Sequence, residues 1–307
     1  MTRGLFVNQV KNNCSIYESG VMIFNAMKSD KYMLDYTEVS VQNINTRDYS
    51  GYDFYVINWH HNTFPMSVQT LRRINGLKIA IVLEVGPVEI RPFMPIDMFD
   101  AYMVIDPTKE SGGKYYTFPR PLEKAERLSP PLSDDIPVIG TFGFLVPGKN
   151  FGEVLQNANK LKTNCIVRMN FPMATFTGTP IQALRDFATR MHSFKGSNVD
   201  LRITHDYMDK ASLIDWCSQN TVNVFPYYRD LPGLSAVTDQ AIAAGRGIAI
   251  TDCNTFRHMH KYIDYYPRQS YMELSESTLA GVKQMQTDWS NDNFVEAFTA
   301  LLKERIK

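Results

Sequence analysis

Short apolar segments alternate with segments of helical periodicity along almost the whole chain, and this alternation restricts the fold more than any other feature of the sequence. Ten apolar segments are strand candidates, five in each half: GLFVNQV, MLDYTEVSV, YDFYVINWH, LKIAIVLEV, AYMVIDP, IPVIGTFGF, NCIVRMNFP, VDLRITHDY, TVNVFPYY and GIAITD. The fourth is a near-continuous apolar run of the type that is buried in a parallel sheet. Strands that alternate with helices pair in parallel, so the sequence predicts an α/β fold with doubly wound parallel sheets.

A proline-rich segment divides the chain into two halves. Residues 118–137, FPRPLEKAERLSPPLSDDIP, contain five prolines and many charges, and proline restricts its own backbone and that of its predecessor. With 307 residues the chain is also long for one domain. The sequence predicts a Rossmann-like domain over residues 1–130, a second one over 136–285, and a C-terminal helix over 286–307 that packs back on the first domain. Ligands of such sheets bind outside the carboxyl ends of the strands, so we expect the site in a cleft between the domains.

Composition narrows the class of protein. The 32 basic residues balance 32 acidic residues, which argues against a purely electrostatic nucleic-acid binder. No apolar run approaches the roughly 18 residues of a membrane span, and the N-terminus does not resemble a secretory signal. We therefore expect a cytoplasmic protein without stable membrane insertion. The widely spaced cysteines predict reduced thiols, not disulfides or structural zinc, and the histidine spacings predict no metal site.

Polar residues follow the predicted strands of the first half. Glu84 interrupts an apolar strand end, Glu18 opens a helix, and His60 and His61 follow the third strand. Glu84, Glu18 and His60 are therefore candidate general bases. Glu18 could equally serve its helix by complementing the macrodipole. Adjacent residues of an extended chain point to opposite faces, so at most one of the two histidines is expected to face a ligand. Ser15, Tyr17, Asn58 and His61 are candidate substrate-binding residues.

Several enzyme classes lack their motifs in this chain. There is no GxGxxG after the first strand, no GxxxxGK[ST], no GxSxG and no DxD triplet. The first three patterns are typical of dinucleotide-dependent oxidoreductases, P-loop NTPases and α/β-hydrolases. The DxD triplet is the metal–diphosphate motif of single-domain sugar transferases.

The segment GLSAVTDQAIAAGRGIAITD, Gly233–Asp252, reads as a turn, an alanine-rich helix and a short strand. Placed late in a second Rossmann-like half, it resembles the EGFGLPxLEAMACGxPVIxS motif of the retaining GT-B glycosyltransferases. In that family the turn binds the donor diphosphate, as helix N-termini do, and a helix carboxylate binds the donor ribose. The first glutamate of the motif has no match at Pro232. Asp239 or Gln240 takes the place of the second, and we favour Asp239 because a carboxylate accepts both ribose hydroxyls.

The resemblance implies a set of donor-binding residues in the second half. Gly143 would let the donor approach the backbone, and cationic side chains would neutralise charge on the leaving group. The implied donor-binding residues are Gly143, Lys149, Arg168, Arg229, Gly233, Ser235, Thr238 and Asp239. The nucleotide sugar would be a substrate, with no tightly bound cofactor.

A second resemblance concerns the acceptor. The segments CSIYES and IVLEV are similar in place to motifs of compact phage DNA-base glucosyltransferases, which would make Glu84 the base and Glu18 its support. Phe256, Arg257 and His258 resemble a late FRH element of phage and surface-polysaccharide sugar transferases. Together these likenesses imply a hexosyl- or pentosyltransferase that uses a UDP-sugar and acts on a hydroxymethylated base of phage DNA. A polysaccharide or lipid-linked glycan acceptor, a GT-B-type nucleotide-sugar epimerase and a non-catalytic ligand-binding protein are the alternatives.

Overall fold

The computed structural model describes residues 1–10, 14–60, 63–83, 96–124, 127–173, 180–229 and 233–306. These residues form two compact units. Unit 1 consists of the described residues of Met1–Pro121 and Asp288–Lys307, with residues 233 and 234. Unit 2 consists of the described residues of Leu122–Leu231 and Ser235–Thr287.

Unit 1 contains a parallel sheet with the strand order β2-β1-β3-β4-β5-β6. Its strands are β1 (Arg3–Gln9), β2 (Met33–Val39), β3 (Phe54–Ile57), β4 (Leu77–Val82), β5 (Ala101–Val104) and β6 (Tyr115–Thr117). The chain passes from β1 outward to β2 and then returns to β3 on the other side of β1. The carboxyl ends of β1 and β3 therefore form the topological switch point of this sheet, where ligands of such folds bind.

Unit 2 contains a second parallel sheet with the order β11-β10-β7-β8-β9. Its strands are β7 (Val138–Phe142), β8 (Cys165–Asn170), β9 (Val199–Thr204), β10 (Val222–Phe225) and β11 (Gly247–Ile250). The switch point of this sheet lies between β7 and β10. Two doubly wound parallel sheets confirm the predicted fold class.

The helices are α1 (Ser15–Ala26), α2 (Val68–Arg73), α3 (Phe151–Ala158), α4 (Ile181–Phe194), α5 (Lys210–Ser218), α6 (Val237–Ala243), α7 (Tyr271–Ser277), α8 (Leu279–Asp288) and α9 (Asn291–Arg305). No helix in the described part of the chain combines the length and apolarity that a membrane crossing needs.

The sheet of unit 1 is apolar on both faces because alternate residues of each strand point in opposite directions. One face carries a buried cluster that includes Val7, Tyr55 and Ile57. The other face packs against α1 and α9, and its buried residues include Phe6, Phe54, Val56, Ile23, Ala26, Phe294 and Phe298. The C-terminal helix α9 thus contributes to the core of unit 1.

Two local predictions need correction. Strand β6 was not predicted, because it has only three half-buried residues and follows a glycine pair at the sheet edge. The C-terminal helix was predicted over residues 286–307, but residues 286–288 belong to the end of α8, and α9 begins only at Asn291. Ser290 ends the continuity, since its side chain caps α9 by accepting a hydrogen bond from the backbone N–H of Asn293.

Candidate functional site

Gly143 directly follows β7 at the switch point of unit 2 and has a φ of +128°, which side chains rarely tolerate. A Cβ atom at this position would lie 2.7 Å from Lys149 Nζ, 3.5 Å from Val237 Cγ1 and 3.6 Å from the Tyr227 hydroxyl. The ammonium of Lys149 and the start of α6 therefore approach the backbone only because residue 143 is glycine. The N–H of Gly143 donates to the carbonyl of Asn170 at 3.0 Å and ties the turn to β8.

Lys149 is a buried cation, with 6% of its surface exposed. Its Nζ lies 5.3 Å from the ring centroid of Tyr227 and 5.9 Å from that of Phe151. No carboxylate of the described residues lies within ion-pair distance of this Nζ. Burial, and secondarily the charge of Arg229, lower the pKa of Lys149 from 10.5 to about 7. An ammonium desolvated in this way is suited to bind an anion.

Arg229 lies beside Lys149 because the stem of its side chain packs on Gly148. Gly148 has a φ of +83°, and a Cβ there would lie 2.6 Å from Arg229 Cγ. The backbone N–H of Tyr228 donates to the Gly148 carbonyl at 2.8 Å, and the Tyr228 hydroxyl donates to Glu153 Oε2 at 2.8 Å. The loop that carries Lys149 is thereby held against the extension of β10 that carries Arg229.

Ser235 precedes α6 and is half-buried. Its backbone N–H donates to the Thr255 carbonyl at 3.2 Å, so this amide is engaged within unit 2. Burial raises the pKa of the Tyr227 hydroxyl, whereas Arg229 and the Ser235 hydroxyl lower it by smaller amounts. Ser235 thus contributes a hydroxyl next to Tyr227 at this switch point, and Gly233 lies two residues earlier in the chain.

The polar residues of α6 are buried. Thr238 is 0% exposed, and its hydroxyl donates to the Ser235 carbonyl at 2.9 Å. Asp239 and Gln240 are each 2% exposed. Both remain candidates for the predicted ribose ligand.

Arg168 on β8 is directed to α5. Its Nη1 donates to the Trp216 carbonyl at 3.1 Å and to Asn220 Oδ1 at 2.9 Å, and its guanidinium lies 4.5 Å from the Trp216 ring centroid. These contacts favour a structural role for Arg168, in contrast to Lys149. Donor binding by Arg168 stays a prediction.

The switch point of unit 1 is a network of amides. Asn58 Nδ2 donates to Asn8 Oδ1 at 2.7 Å and to the Ile16 carbonyl at 2.9 Å, and Asn8 Nδ2 donates to the Tyr17 carbonyl at 3.1 Å. A Cβ at Gly20 of α1 would lie 2.4 Å from Asn58 Nδ2. The first turn of α1 is therefore held against the carboxyl ends of β1 and β3. Asn58 Oδ1 is buried and has no hydrogen-bond partner among the described residues.

Glu38 joins this network and was missed in the sequence. The hydroxyls of Tyr17 and Tyr36 donate to Glu38 Oε1 at 2.9 and 3.1 Å. Burial, followed by the hydrogen bond to Glu38, raises the pKa of Tyr17 to about 12. The sequence feature that could have indicated Glu38 is its position near the end of β2. At that position the register of the sheet pairs Glu38 with Asn8.

The structure places the remaining candidates of the first half as follows. Ser15 and Glu18 are half-buried in the first turn of α1. His60 is 8% exposed, and its Nδ1 accepts a hydrogen bond from the Thr63 backbone N–H at 3.3 Å. His60 Nδ1 is thus engaged close to its own strand end, and a role of His60 as the base stays a prediction. Glu84 and His61 lie outside the described residues.

In the described ranges, no group of three or more His, Cys, Asp and Glu side chains is placed to hold a metal ion.

No family model matches the chain, and no curated protein matches it in sequence. Solved structures match it over its whole length. HepE from Anabaena in complex with UDP and glucose has a TM-score of 0.67 at 8% identity, over 99% of this chain and 100% of that chain. The E. coli trehalose-6-phosphate protein bound with UDP-2-fluoro glucose has a TM-score of 0.65 at 12% identity, over 99% of both chains. An alpha-glucosyltransferase, AGT, in complex with UDP has a TM-score of 0.60 at 10% identity, over 100% of both chains.

These similarities define the class of structure to which the chain belongs. Its two units with parallel sheets have the GT-B fold.

Proposed function

We propose that this protein is a glycosyltransferase that moves a hexose from a UDP-sugar to an acceptor hydroxyl. The observation that carries the proposal is the desolvated ammonium of Lys149, which lies beside Arg229 at the switch point of unit 2 with no described carboxylate to neutralise it. A diphosphate supplies the missing negative charge. The similar structures of HepE, the E. coli trehalose-6-phosphate protein and AGT contain UDP, glucose or UDP-2-fluoro glucose, which supports this donor.

In the proposed complex, Lys149 and Arg229 contact the diphosphate, and Gly143 allows it to approach the backbone. The Ser235 hydroxyl completes this contact, and Asp239 binds the ribose. Gly233 stays a predicted donor contact. The bond between the sugar C1 and the phosphate oxygen breaks during transfer, so negative charge develops on the departing UDP. Cations already in place stabilise this charge without reorganisation, and their effect is larger in a desolvated site.

The acceptor loses its proton as its oxygen forms the new bond to C1. We propose Glu84 as the base that takes this proton, with Glu18 as its support. Asn58 belongs to the proposed acceptor-binding residues together with Ser15, Tyr17 and His61. The buried Asn58 Oδ1 without a described partner supports this role, since it can accept a hydrogen bond from a hydroxyl.

We propose DNA with a hydroxymethylated base as the acceptor. Support comes from the segment 261–268 of unit 2, where cations stack on aromatic rings near the surface. Lys261 Nζ lies 4.5 Å from the Tyr262 ring centroid, and the Arg268 guanidinium lies 4.3 Å from that of Tyr265. Such pairs suit phosphates and exposed bases. Duplex DNA should therefore bind with an affinity that falls steeply with salt. If DNA binding did not depend on salt and the sugar were transferred to a glycan, the acceptor would be a polysaccharide instead.

A thermal-shift panel of nucleotide sugars tests the donor. A ligand present at about 100 times its dissociation constant stabilises the folded state by about 2.7 kcal/mol. UDP-hexoses should raise the melting temperature more than ADP- or GDP-hexoses. A panel in which no UDP-sugar raises it would contradict the proposed function. A product assay with donor alone then separates a transferase from an epimerase, because only an epimerase releases a new nucleotide sugar without an acceptor.

A further inference from the structure

The segment that follows β11, residues 251–258, contacts both turns that meet at the switch point of unit 2. The Thr251 hydroxyl donates to the Tyr227 carbonyl, and the Phe256 ring lies 5.1 Å from the Tyr227 ring. The Thr255 carbonyl accepts the backbone N–H of Ser235 at 3.2 Å. We call residues 251–258 the clasp segment, because it is bonded to the ends of β10 and to the start of α6.

The last residue of the clasp segment, His258, reaches the Ser235 turn through Thr238. His258 Nε2 lies 3.3 Å from Thr238 Oγ1, which in turn lies 2.9 Å from the Ser235 carbonyl oxygen. A hydroxyl has one proton, and here it is donated to the carbonyl. The proton between His258 and Thr238 is therefore on Nε2, and the direction of donation runs from His258 to Thr238 to Ser235.

This chain of hydrogen bonds is closed to water. Thr238 and His258 are each 0% exposed. Hydrogen bonds in a low-dielectric interior are strengthened, and consecutive bonds polarise one another. The peptide groups on both sides of Ser235 are thus held, the N–H by Thr255 and the carbonyl by Thr238. The Ser235 hydroxyl is presented next to Tyr227 from a backbone with little freedom to move.

We propose that His258 is a positioning residue: acting through Thr238, it fixes the Ser235 turn in the conformation that receives the donor diphosphate. The identity of the ligand in this inference rests on the proposed nucleotide-sugar function. The effect of His258 on the conformation of the Ser235 turn does not depend on that function. His258 itself does not touch the donor. Loss of the His258 side chain should weaken donor binding and make the backbone of residues 235–240 less rigid.

The affinity test uses UDP titrated calorimetrically into the full-length chain. His258→Leu and Thr238→Val should each weaken UDP binding by about fivefold, the net contribution of one hydrogen bond. The double variant should be no weaker than either single variant, because both remove the same chain of bonds. His258→Gln, which keeps an N–H donor, should recover most of the loss. In a Ser235→Ala background, His258→Leu should have no further effect.

A matched control separates positioning from general stability. Thr70 of unit 1 is also buried, and its hydroxyl is 2.9 Å from Asn45 Oδ1. Thr70→Val should lower the melting temperature without changing UDP affinity. If Thr70→Val weakened UDP binding as much as Thr238→Val, the effect of Thr238 would be general destabilisation and the proposal would be wrong.

Hydrogen exchange on the protein without ligand tests the same inference independently of UDP. The amides of residues 235–240 should exchange faster in His258→Leu than in the wild type, and Thr70→Val should leave them unchanged. Unchanged exchange in His258→Leu overturns the positioning role. A wild-type protein that does not bind UDP contradicts the proposed function instead, and the exchange result then decides the role of His258 alone.

Discussion

In unit 2 the carboxyl ends of β7 and β10 lead to Lys149 and Arg229, whereas in unit 1 the carboxyl ends of β1 and β3 carry Asn8 and Asn58. Both switch points use a glycine whose missing side chain makes room for a polar group. A Cβ at Gly143 would lie 2.7 Å from Lys149 Nζ, and a Cβ at Gly20 would lie 2.4 Å from Asn58 Nδ2.

The difference lies in how the polar groups are satisfied. Each amide nitrogen of unit 1 donates to a carbonyl in the first turn of α1, so the network fixes a helix. The ammonium of unit 2 is desolvated against aromatic rings and has no described carboxylate beside it. Because such a charge lowers the stability of the free protein, its presence supports the proposed anionic ligand. The comparison therefore supports the proposed donor charge contact in unit 2, and it shows that the amide nitrogens of unit 1 place the first turn of α1.

The largest effect is expected for Lys149→Met, which keeps most of the length of the side chain and removes its charge. UDP affinity should fall by several hundred-fold, since loss of one partner of a buried charge pair costs about 2–5 kcal/mol. The melting temperature of the free protein should rise, because an unpaired buried charge is removed. Calorimetry and thermal unfolding measure the two quantities. Lys78→Met in unit 1 is the control: it removes an ion pair with Asp100 and should leave UDP affinity unchanged.

The second effect concerns Glu84, whose assignment as base comes from the sequence. Glu84→Gln should reduce turnover by about 100-fold or more, because general-base catalysis contributes that much. UDP affinity should stay at the wild-type value, since the donor contacts are assigned to unit 2. Steady-state kinetics with saturating donor measures the turnover, and calorimetry measures the UDP affinity. Wild-type turnover in Glu84→Gln would remove the base assignment and leave the donor site intact.

The third effect compares the two glycines directly. Gly143→Ala should weaken UDP binding by about 30-fold, because the new methyl group displaces Lys149 and the backbone is strained at this φ. Gly20→Ala should lower the free energy of unfolding by about 1–3 kcal/mol through overpacking against Asn58, without changing UDP affinity. Chemical denaturation and calorimetry measure both variants. Equal loss of UDP affinity in the two would break the distinction between the switch points.

Much of the fold was predictable because each central strand is a local apolar run. The ten predicted segments correspond to β1–β5 and β7–β11. The central strands are buried on both faces and need apolar residues throughout, whereas the edge strands β2 and β9 are partly exposed. Strand β6 escaped because its three residues are only half-buried. Its identity depends on pairing with β5, and no local pattern records that pairing.

The site was less predictable because its properties arise between distant segments. The position of Lys149 after a turn is visible in the sequence, but its lowered pKa depends on burial beside Tyr227 and on the charge of Arg229. Glu38 was missed because its contact with the network needs the register of β1 and β2. His258 resembles a sequence element of known transferases, but its hydrogen bond to Thr238 was not predictable. The two residues are 20 positions apart, and β11 lies between them in the chain.

The smallest effect tests the charge of Lys149 through pH. The pKa of Lys149 is about 7 in the folded protein and has its ordinary value of 10.5 when unfolded. Between these values the unfolded state binds more protons, so the stability of the free protein should increase as pH rises through this window. UDP affinity should change in the opposite direction, because only the protonated ammonium attracts the diphosphate. From pH 7 to pH 8 the protonated fraction falls from about one half to about one tenth, which weakens binding by about fivefold.

Titrations of UDP at several pH values, in buffers of different ionisation enthalpy, measure this affinity and the proton taken up on binding. Lys149→Arg is the matched control, because a guanidinium stays charged over the whole range and leaves only the titration of UDP itself. Wild-type binding should therefore lose affinity above pH 7 more steeply than Lys149→Arg. Equal slopes would mean that Lys149 is already fully charged in the free protein. The contrast between a desolvated cation in unit 2 and a neutral amide network in unit 1 would then be wrong.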